Sequence, residues 1–113
     1  MHEFSIAQNI IEIVKDAVTK HQAGKVKEVV LGIGTLSGIE ITALDTALES
    51  LVPGTILEGS EIKKNIIRAM AKCRQCNTQF EPEAYYSCCT HCGAFGPEIL
   101  SGTELKVLSV TTD

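Results

Sequence analysis

The sequence predicts an α+β fold in which a small four-cysteine module is inserted before the last strand. Apolar residues recur at helical spacing near the N-terminus and are followed by a β-branched run, which is typical of a helix and a buried strand. Two Cys-x-x-Cys pairs, one at Cys73 and Cys76 and one at Cys89 and Cys92, lie in a turn-rich stretch between two later strand candidates. The elements before Cys73 cannot close a sheet alone, so we expect the last strand to return to them.

The first helix is predicted from Ser5 to about Ala23, because isoleucine, valine and alanine recur there every three or four residues. Ser5 and Gln8 would form a capping box at its start, and Gly24 would end it. The β-branched run from Val26 to Ile33 predicts the first strand, which ends where two glycines flank an isoleucine.

A second helix is predicted after Ser37-x-x-Glu40, which is a capping-box pattern, with apolar residues on one face from Leu44 to Leu51. A Pro-Gly pair would end this helix. Ile62 to Met70 predicts the second strand, and Gly102 to Val110 predicts the third. The elements therefore add up to two helices, three strands and the inserted cysteine module.

The two Cys-x-x-Cys pairs predict a zinc site. Each pair fits a tight turn that directs both sulfurs to one point, and two such turns complete the tetrahedral shell of four sulfurs that zinc prefers. Disulfides are the alternative, but they belong to oxidising compartments, and the N-terminus shows neither the basic nor the apolar region of a signal peptide. A thioredoxin-like redox site is disfavoured, because it would need a single pair that opens a helix. We therefore expect a closed zinc-ribbon-like domain with four cysteine ligands.

Cys88 makes the second pair ambiguous, because either Cys88 or Cys89 can be its first ligand. We favour Cys89, since the two-residue spacing of the first pair then repeats. Cys88 would be a spare thiol and His91 a solvated loop residue. Both lie close enough to replace a ligand if the site rearranges.

The composition favours a small globular protein and disfavours two kinds of partner. The 113 residues suffice for one domain with a modest core, and the formal net charge is −4. Ten Lys and Arg against fourteen Asp and Glu, without a basic cluster, leave no face that neutralises phosphates, so we expect no nucleic-acid binding. No apolar run approaches the roughly 20 residues of a membrane span, so we expect a soluble, cytoplasmic protein.

The N-terminus offers a second set of metal donors. The Met1 amine, the His2 backbone nitrogen and His2 Nδ1 can bind one ion through consecutive chelate rings, which suits the planar nitrogen coordination of Ni(II) or Cu(II). His2 is bulky, so we expect Met1 to be retained, and Glu3 adds a carboxylate beside the chelate. A frayed terminus is the commoner interpretation for an arbitrary protein, but a helix capped at Ser5 would hold these residues against a folded scaffold.

Taken with the cysteine pairs, the N-terminus resembles that of the HypA/HybF family of nickel metallochaperones. The resemblance spans nearly the whole chain and rests on four features: the Met1-His2-Glu3 start, the Gly32-Ile33-Gly34 strand end, the two cysteine pairs, and the Gly102-Thr103-Glu104-Leu105 segment. It implies a nickel-binding domain of two helices on a three-stranded sheet, at residues 1–70 plus 98–113. It also implies a zinc-binding domain at residues 71–97 that projects from the first.

The resemblance further implies roles for individual residues. His2 would be the main nickel ligand, with the Met1 amine and the backbone of His2 and Glu3 as co-ligands. Glu40 would lie near the nickel without being a principal ligand. The structural zinc ion would be held by Cys73, Cys76, Cys89 and Cys92.

The function that the resemblance implies is that of a carrier and not of an enzyme. Family members deliver Ni(II) to the large-subunit precursor of [NiFe]-hydrogenase together with the maturation GTPase HypB, and in some organisms they also serve urease maturation. The alternative is a zinc-ribbon adaptor that binds other proteins without transferring nickel. A catalytic zinc enzyme is disfavoured, because four cysteines leave no open coordination position.

Overall fold

The computed structural model describes residues 2–22 and 24–113, and this part of the chain has the predicted α+β architecture. It contains two α-helices, α1 (His2–Lys20) and α2 (Ile41–Leu51). The strands in the same part are β1 (Val26–Gly34), β2 (Glu61–Ile67), β3 (Met70–Lys72), β4 (Gln79–Phe80), β5 (Glu98–Ser101) and β6 (Leu105–Thr112). They form two three-stranded sheets, with the orders β2-β1-β6 and β4-β3-β5. The predicted fold class, with a cysteine module inserted between β2 and β6, is confirmed.

The chain divides into two compact units. The helical unit comprises Met1–Leu31, Ile39–Lys64 and Lys106–Asp113, and the cysteine unit comprises Gly32–Gly38 and Asn65–Leu105. The cysteine unit includes all four cysteines of the two pairs. That residues 71–97 form a zinc-binding domain by themselves stays a prediction.

The core of the helical unit is built by the apolar stripes that predict its helices. The two helices pack against each other. Their buried apolar residues follow the spacing of three or four that one face of a helix requires. They are Ala7, Ile10, Ile11, Val14 and Val18 in α1 and Leu44, Ala47 and Leu48 in α2. Val26, Val29 and Leu31 of β1 are buried as well. Neither of the described helices combines the length and the apolar content that a membrane span needs.

The helix α1 begins three residues earlier than the sequence predicts. Ser5 lies inside the helix and is exposed, so the predicted capping box of Ser5 and Gln8 is wrong. Glu3 explains the earlier start, because it is only 8% exposed and its Oε2 accepts a hydrogen bond of 3.3 Å from the Glu40 N–H. This contact with the start of α2 stabilises a first turn that local capping rules do not anticipate.

The other helix ends also differ in detail from the prediction. Gln22 adopts a φ of 52° after α1, so Gln22 and not Gly24 takes the left-handed position that ends the helix. Ala23, the predicted last residue, lies outside the described residues. Glu40 is the N-cap of α2, and its Oε1 accepts a hydrogen bond of 2.9 Å from the Thr42 N–H. Glu40 therefore caps the helix directly instead of completing a capping box.

The predicted strand from Ile62 to Met70 is two strands, because the chain leaves the first sheet after Ile67. The Thr35 N–H donates to the Ile67 carbonyl at 3.0 Å, and the Ala69 N–H donates to Thr35 Oγ1 at 2.9 Å. Thr35 therefore contacts the chain where it passes from β2 of the first sheet to β3 of the second sheet. The short strands β4 and β5, which no sequence pattern indicated, pair antiparallel with β3.

Two glycines allow a close crossing of segments inside the cysteine unit. A Cβ on Gly34 would overlap the Gly102 backbone, and a Cβ on Gly102 would overlap Ala69. The Leu36 N–H donates to the Gly102 carbonyl at 2.7 Å, and the Gly34 N–H donates to the Glu104 carbonyl at 2.7 Å. Gly102 also has a φ of 95°, which explains why β6 begins at Leu105 and not at Gly102.

We expect Gly102→Ala to lower the free energy of unfolding by about 2–5 kcal/mol, since a left-handed backbone strains an L-residue by about 1–2 kcal/mol and overpacking adds about 1–3 kcal/mol. Gly38→Ala is the matched control. Gly38 also has a positive φ, of 77°, but nothing lies within 4 Å of where its Cβ would be. Urea unfolding of both variants with metal bound measures the difference, and equal losses would contradict the close-packing argument.

Candidate metal centre

Four cysteines of the cysteine unit bring their sulfur atoms together. The Sγ atoms of Cys73, Cys76, Cys89 and Cys92 all lie within 4.8 Å of one another. The Sγ atoms of Cys73 and Cys92 are 3.5 Å apart, and those of Cys76 and Cys89 are 3.6 Å apart. This spacing allows one metal ion to contact all four sulfurs.

The first cysteine pair is held in a tight turn by backbone hydrogen bonds. The Cys73 N–H donates to the Thr78 carbonyl at 2.9 Å, and the Asn77 N–H donates back to the Cys73 carbonyl at 3.0 Å. Asn77 closes the turn with a φ of 63°. Inside the turn, Cys73 Sγ accepts hydrogen bonds of 3.4 Å from the Gln75 and Cys76 N–H groups. The turn therefore directs backbone donors at a sulfur, as a thiolate requires.

The second cysteine pair repeats this turn. The Cys89 N–H donates to the Ala94 carbonyl at 2.8 Å, and the Gly93 N–H donates to the Cys89 carbonyl at 3.0 Å. Gly93 has a φ of 79°. Cys89 Sγ accepts hydrogen bonds from the His91 and Cys92 N–H groups at 3.3 and 3.4 Å. The same local geometry therefore builds both halves of the cluster.

The repetition explains where Cys88 lies. In each half, the residue just before the turn forms a β-bridge with a residue just after it. Lys72 pairs with Gln79 across the first turn, and Cys88 pairs with Phe95 across the second. Cys88 thus takes the position of Lys72, a strand position and not a ligand position. It is exposed, and among the described residues the structure brings Cys89 rather than Cys88 into the group of four.

Three of these cysteines, Cys73, Cys76 and Cys89, also belong to the apolar core of this unit, whereas Cys92 is exposed. Cys73 and Cys89 are buried together with Ala71 and Phe80, and Ile99 packs against them from β5. Few larger apolar side chains join this cluster. Because so small a core contributes little stability, we expect the unit to need a metal ion bound by the cysteines in order to stay folded.

The thiols of the cluster differ in acidity. Hydrogen bonds from the Thr78 hydroxyl and backbone lower the pKa of Cys76 to about 5. At Cys92 the Ala94 backbone N–H favours the thiolate, but the Cys73 thiol, burial and the remaining two thiols raise the pKa to about 12. A cation bound among the four sulfurs would favour the thiolate form of all of them.

Thr78 contacts a cluster sulfur and was not predicted from the sequence. Its Oγ1 lies 3.1 Å from Cys76 Sγ, and among the described residues no other hydroxyl group is hydrogen-bonded to a sulfur of the four. The sequence signal is a hydroxyl residue two positions after the last cysteine of a pair. The second pair has Ala94 at the equivalent position, so the two halves differ in the support they give their sulfurs.

The residues predicted to bind nickel are only partly described. Met1 and the His2 side chain lie outside the described residues. Glu3 and Glu40, which are far apart in sequence, are brought together by the hydrogen bond from the Glu40 N–H to Glu3 Oε2. The structure therefore places both predicted carboxylates at the meeting point of the first turns of α1 and α2.

Comparison with known proteins identifies the family. The family model described as "Hydrogenase/urease nickel incorporation, metallochaperone, hypA" matches residues 1–112. The hydrogenase maturation factor HypA of Parabacteroides distasonis is 42% identical over 110 residues, which cover 97% of this chain and 96% of that protein. HypA of Geotalea uraniireducens is 39% identical over 108 residues, which cover 95% of this chain and 94% of that protein.

The fold agrees with the same family. The solution structure of the Ni metallochaperone HypA from Helicobacter pylori matches with a TM-score of 0.71 at 25% identity, over 97% of this chain and 96% of that chain. The chain therefore belongs to the HypA family of nickel-incorporation metallochaperones for hydrogenase and urease, whose members are maturation factors and not enzymes.

Proposed function

We propose that the protein binds Ni(II) at its N-terminus and delivers it to the large-subunit precursor of [NiFe]-hydrogenase. The observation that carries this proposal is the start of α1 at His2, which makes the chelating residues part of a folded helix. The first N–H groups of an α-helix lie outside its hydrogen-bond ladder. Nickel binding through the His2 backbone nitrogen therefore breaks no bond of that ladder.

The field of α1 supports the same donors. A helix N-terminus carries a partial charge of about +0.5, which favours negative groups. A backbone nitrogen that binds nickel in a planar chelate has lost its proton and is anionic, so the helix favours this form. The same field disfavours a bare cation, which is consistent with an ion held transiently and passed on.

Glu3 and Glu40 would position the chelate. The hydrogen bond between the Glu40 N–H and the Glu3 carboxylate ties the residue next to His2 to the start of α2 within the helical unit. We propose that the Met1 amine and the backbone of His2 and Glu3 complete the nickel site around the His2 imidazole. Glu40 would lie near the nickel without being a principal ligand.

The four-cysteine cluster would hold zinc as a structural ion. A Zn–S distance of about 2.3 Å in a tetrahedron separates the sulfurs by about 3.8 Å. The Sγ–Sγ distances of 3.5 Å between Cys73 and Cys92 and of 3.6 Å between Cys76 and Cys89 are close to this value. Four sulfurs fill the coordination shell, so this site would stabilise the cysteine unit and the N-terminus would carry the exchangeable metal.

The partners follow from the family. The match to a hydrogenase and urease nickel-incorporation family supports hydrogenase and urease maturation as the processes served. We propose, from the family resemblance, the hydrogenase large-subunit precursor as the recipient, the GTPase HypB as the partner in maturation, and urease maturation proteins as further partners. We propose that this transfer takes place in the cytoplasm. The alternative function is an adaptor that binds these proteins through its zinc site and transfers no nickel.

Extending the N-terminus by Gly-Ser separates the two functions. We expect the extension to abolish stoichiometric nickel binding, because it moves the terminal amine out of the chelate ring, while zinc content stays unchanged. Calorimetric nickel titration of the native and the extended protein, both without a tag, measures the effect. Stoichiometric nickel binding by the extended protein would favour the adaptor.

A further inference from the structure

An exposed aromatic pair marks a surface of the cysteine unit that the metal site does not explain. The rings of Tyr86 and Phe95 stack with centroids 6.1 Å apart and planes at 10°. The two residues are nevertheless 76% and 69% exposed. A covered aromatic side chain buries about 150–250 Å², so leaving two in water forgoes stabilisation that a small core needs.

Arg74 lies at the same surface. Its Nε donates a hydrogen bond of 3.2 Å to the carbonyl of Gly96, the residue that follows Phe95. Among the described residues this is the only hydrogen bond or ion pair of Arg74, so its two Nη groups can donate to another ligand. A guanidinium held through Nε presents two parallel donors, the arrangement that binds a carboxylate bidentately.

We call the surface formed by Arg74, Tyr86 and Phe95 the aromatic–arginine surface. We infer that it binds a segment of a partner protein in which a carboxylate side chain lies next to an apolar side chain. The apolar side chain would cover the stacked rings, and the carboxylate would bind the Arg74 Nη groups. Tyrosine, phenylalanine and arginine are the residues enriched at the centres of protein interfaces. The inference goes beyond the proposed function, since it concerns a protein-docking surface and needs no nickel.

Electrostatics disfavour two other occupants. Nucleic-acid bases stack on aromatic rings, but Arg74 is the only Lys or Arg from Cys73 to Pro97, and Glu81 and Glu83 oppose a phosphate backbone. A second copy of the chain has the same net charge of −4, so long-range repulsion opposes self-association. A partner segment with a carboxylate complements the charge of the Arg74 guanidinium.

A matched peptide pair tests the inference on the full-length, zinc-loaded protein. The probes are the acetylated, amidated tripeptides Leu-Asp-Phe and Leu-Asn-Phe, which differ in one charge. In NMR titrations of 15N-labelled protein, we expect the Asp peptide to shift the Arg74 Nε–H signal and the Phe95 and Gly96 amide signals. The Asn peptide should bind at least tenfold more weakly. Equal binding of the two peptides, or shifts confined to other regions, would overturn the inference.

Variants distinguish the surface from a general structural effect. Arg74→Gln and Phe95→Ala should each raise the dissociation constant of the Asp peptide at least tenfold with zinc content unchanged. Arg68→Gln is the matched control, because this exposed arginine is paired with Glu81 at 3.5 Å and should leave binding unaltered. If Phe95→Ala disturbs the second turn, the Arg74→Gln variant and the comparison of the two peptides still test whether the surface binds a carboxylate.

Two further readouts separate the alternatives. Concentration-dependent shifts of the same signals without peptide would assign the surface to a second copy and overturn the partner-segment inference. His2→Ala should leave peptide binding unchanged, so failure of the nickel proposal and failure of this inference are independent results.

Discussion

Replacing His2 by alanine should abolish tight nickel binding and leave the zinc content unchanged. We expect the nickel dissociation constant to rise by more than about a hundredfold, because removing only a partner of a metal ligand typically costs about 10–100-fold and His2 is proposed as a ligand itself. The zinc site should be unaffected, since its four sulfurs belong to the cysteine unit. Metal analysis and nickel titration of untagged protein measure both effects.

His21→Ala is the matched control for this variant. His21 is an exposed histidine just beyond the other end of α1, so its removal should change neither metal. Loss of nickel from the His21 variant would point to adventitious binding by surface histidines. Loss of both metals in the His2 variant, or of neither, would count against a protein with two separate metal sites.

Replacing Cys73 by serine should release zinc and unfold the cysteine unit. Structural zinc contributes an apparent free energy of about 10–16 kcal/mol in small zinc domains, on the order of or above the whole stability of a typical domain. Cys73 is 1% exposed, and its sulfur accepts the two N–H bonds that shape the first turn. We expect loss of amide hydrogen-exchange protection in β3 to β5, while α1 and α2 keep their protection.

Cys88→Ser is the control for the cysteine variant. Cys88 is exposed and lies outside the group of four, so the substitution should keep both zinc and protection. Removing zinc from the unmodified protein with a strong chelator should cause the same loss of hydrogen-exchange protection in β3 to β5 as Cys73→Ser. A Cys73→Ser protein whose cysteine unit stays protected would show that the unit does not depend on its metal.

Local patterns were sufficient for most of the fold. Both helices, β1 and β6 lie close to where apolar periodicity and β-branched runs predict them. Each of these elements buries one face, and the spacing of its apolar residues indicates that face. The short strands β4 and β5 were missed, because two to four residues carry no measurable period. The division of the strand from Ile62 to Met70 was missed because Thr35, distant in sequence, holds Ala69.

For the candidate metal sites, too, some features were predictable from the sequence and others were not. The spacing of the four cysteines depends on local turn geometry, so it is readable in the sequence. The ambiguity of Cys88 could not be resolved there, since its resolution depends on the pairing of Cys88 with Phe95 across the second turn. The resemblance to the HypA family supplied the expected role of His2, which the pattern at a chain terminus indicates only weakly.

The sequence by itself determined the fold class, the cysteine module and the family of this protein, because each depends on residue types at short, regular spacing. Only the tertiary structure decided that α1 begins at His2, since the buried Glu3 carboxylate accepts a hydrogen bond from a residue 37 positions away. It also decided which cysteine is left out and which aromatic rings stay in water. These outcomes depend on contacts between distant segments, whose energies no local pattern records.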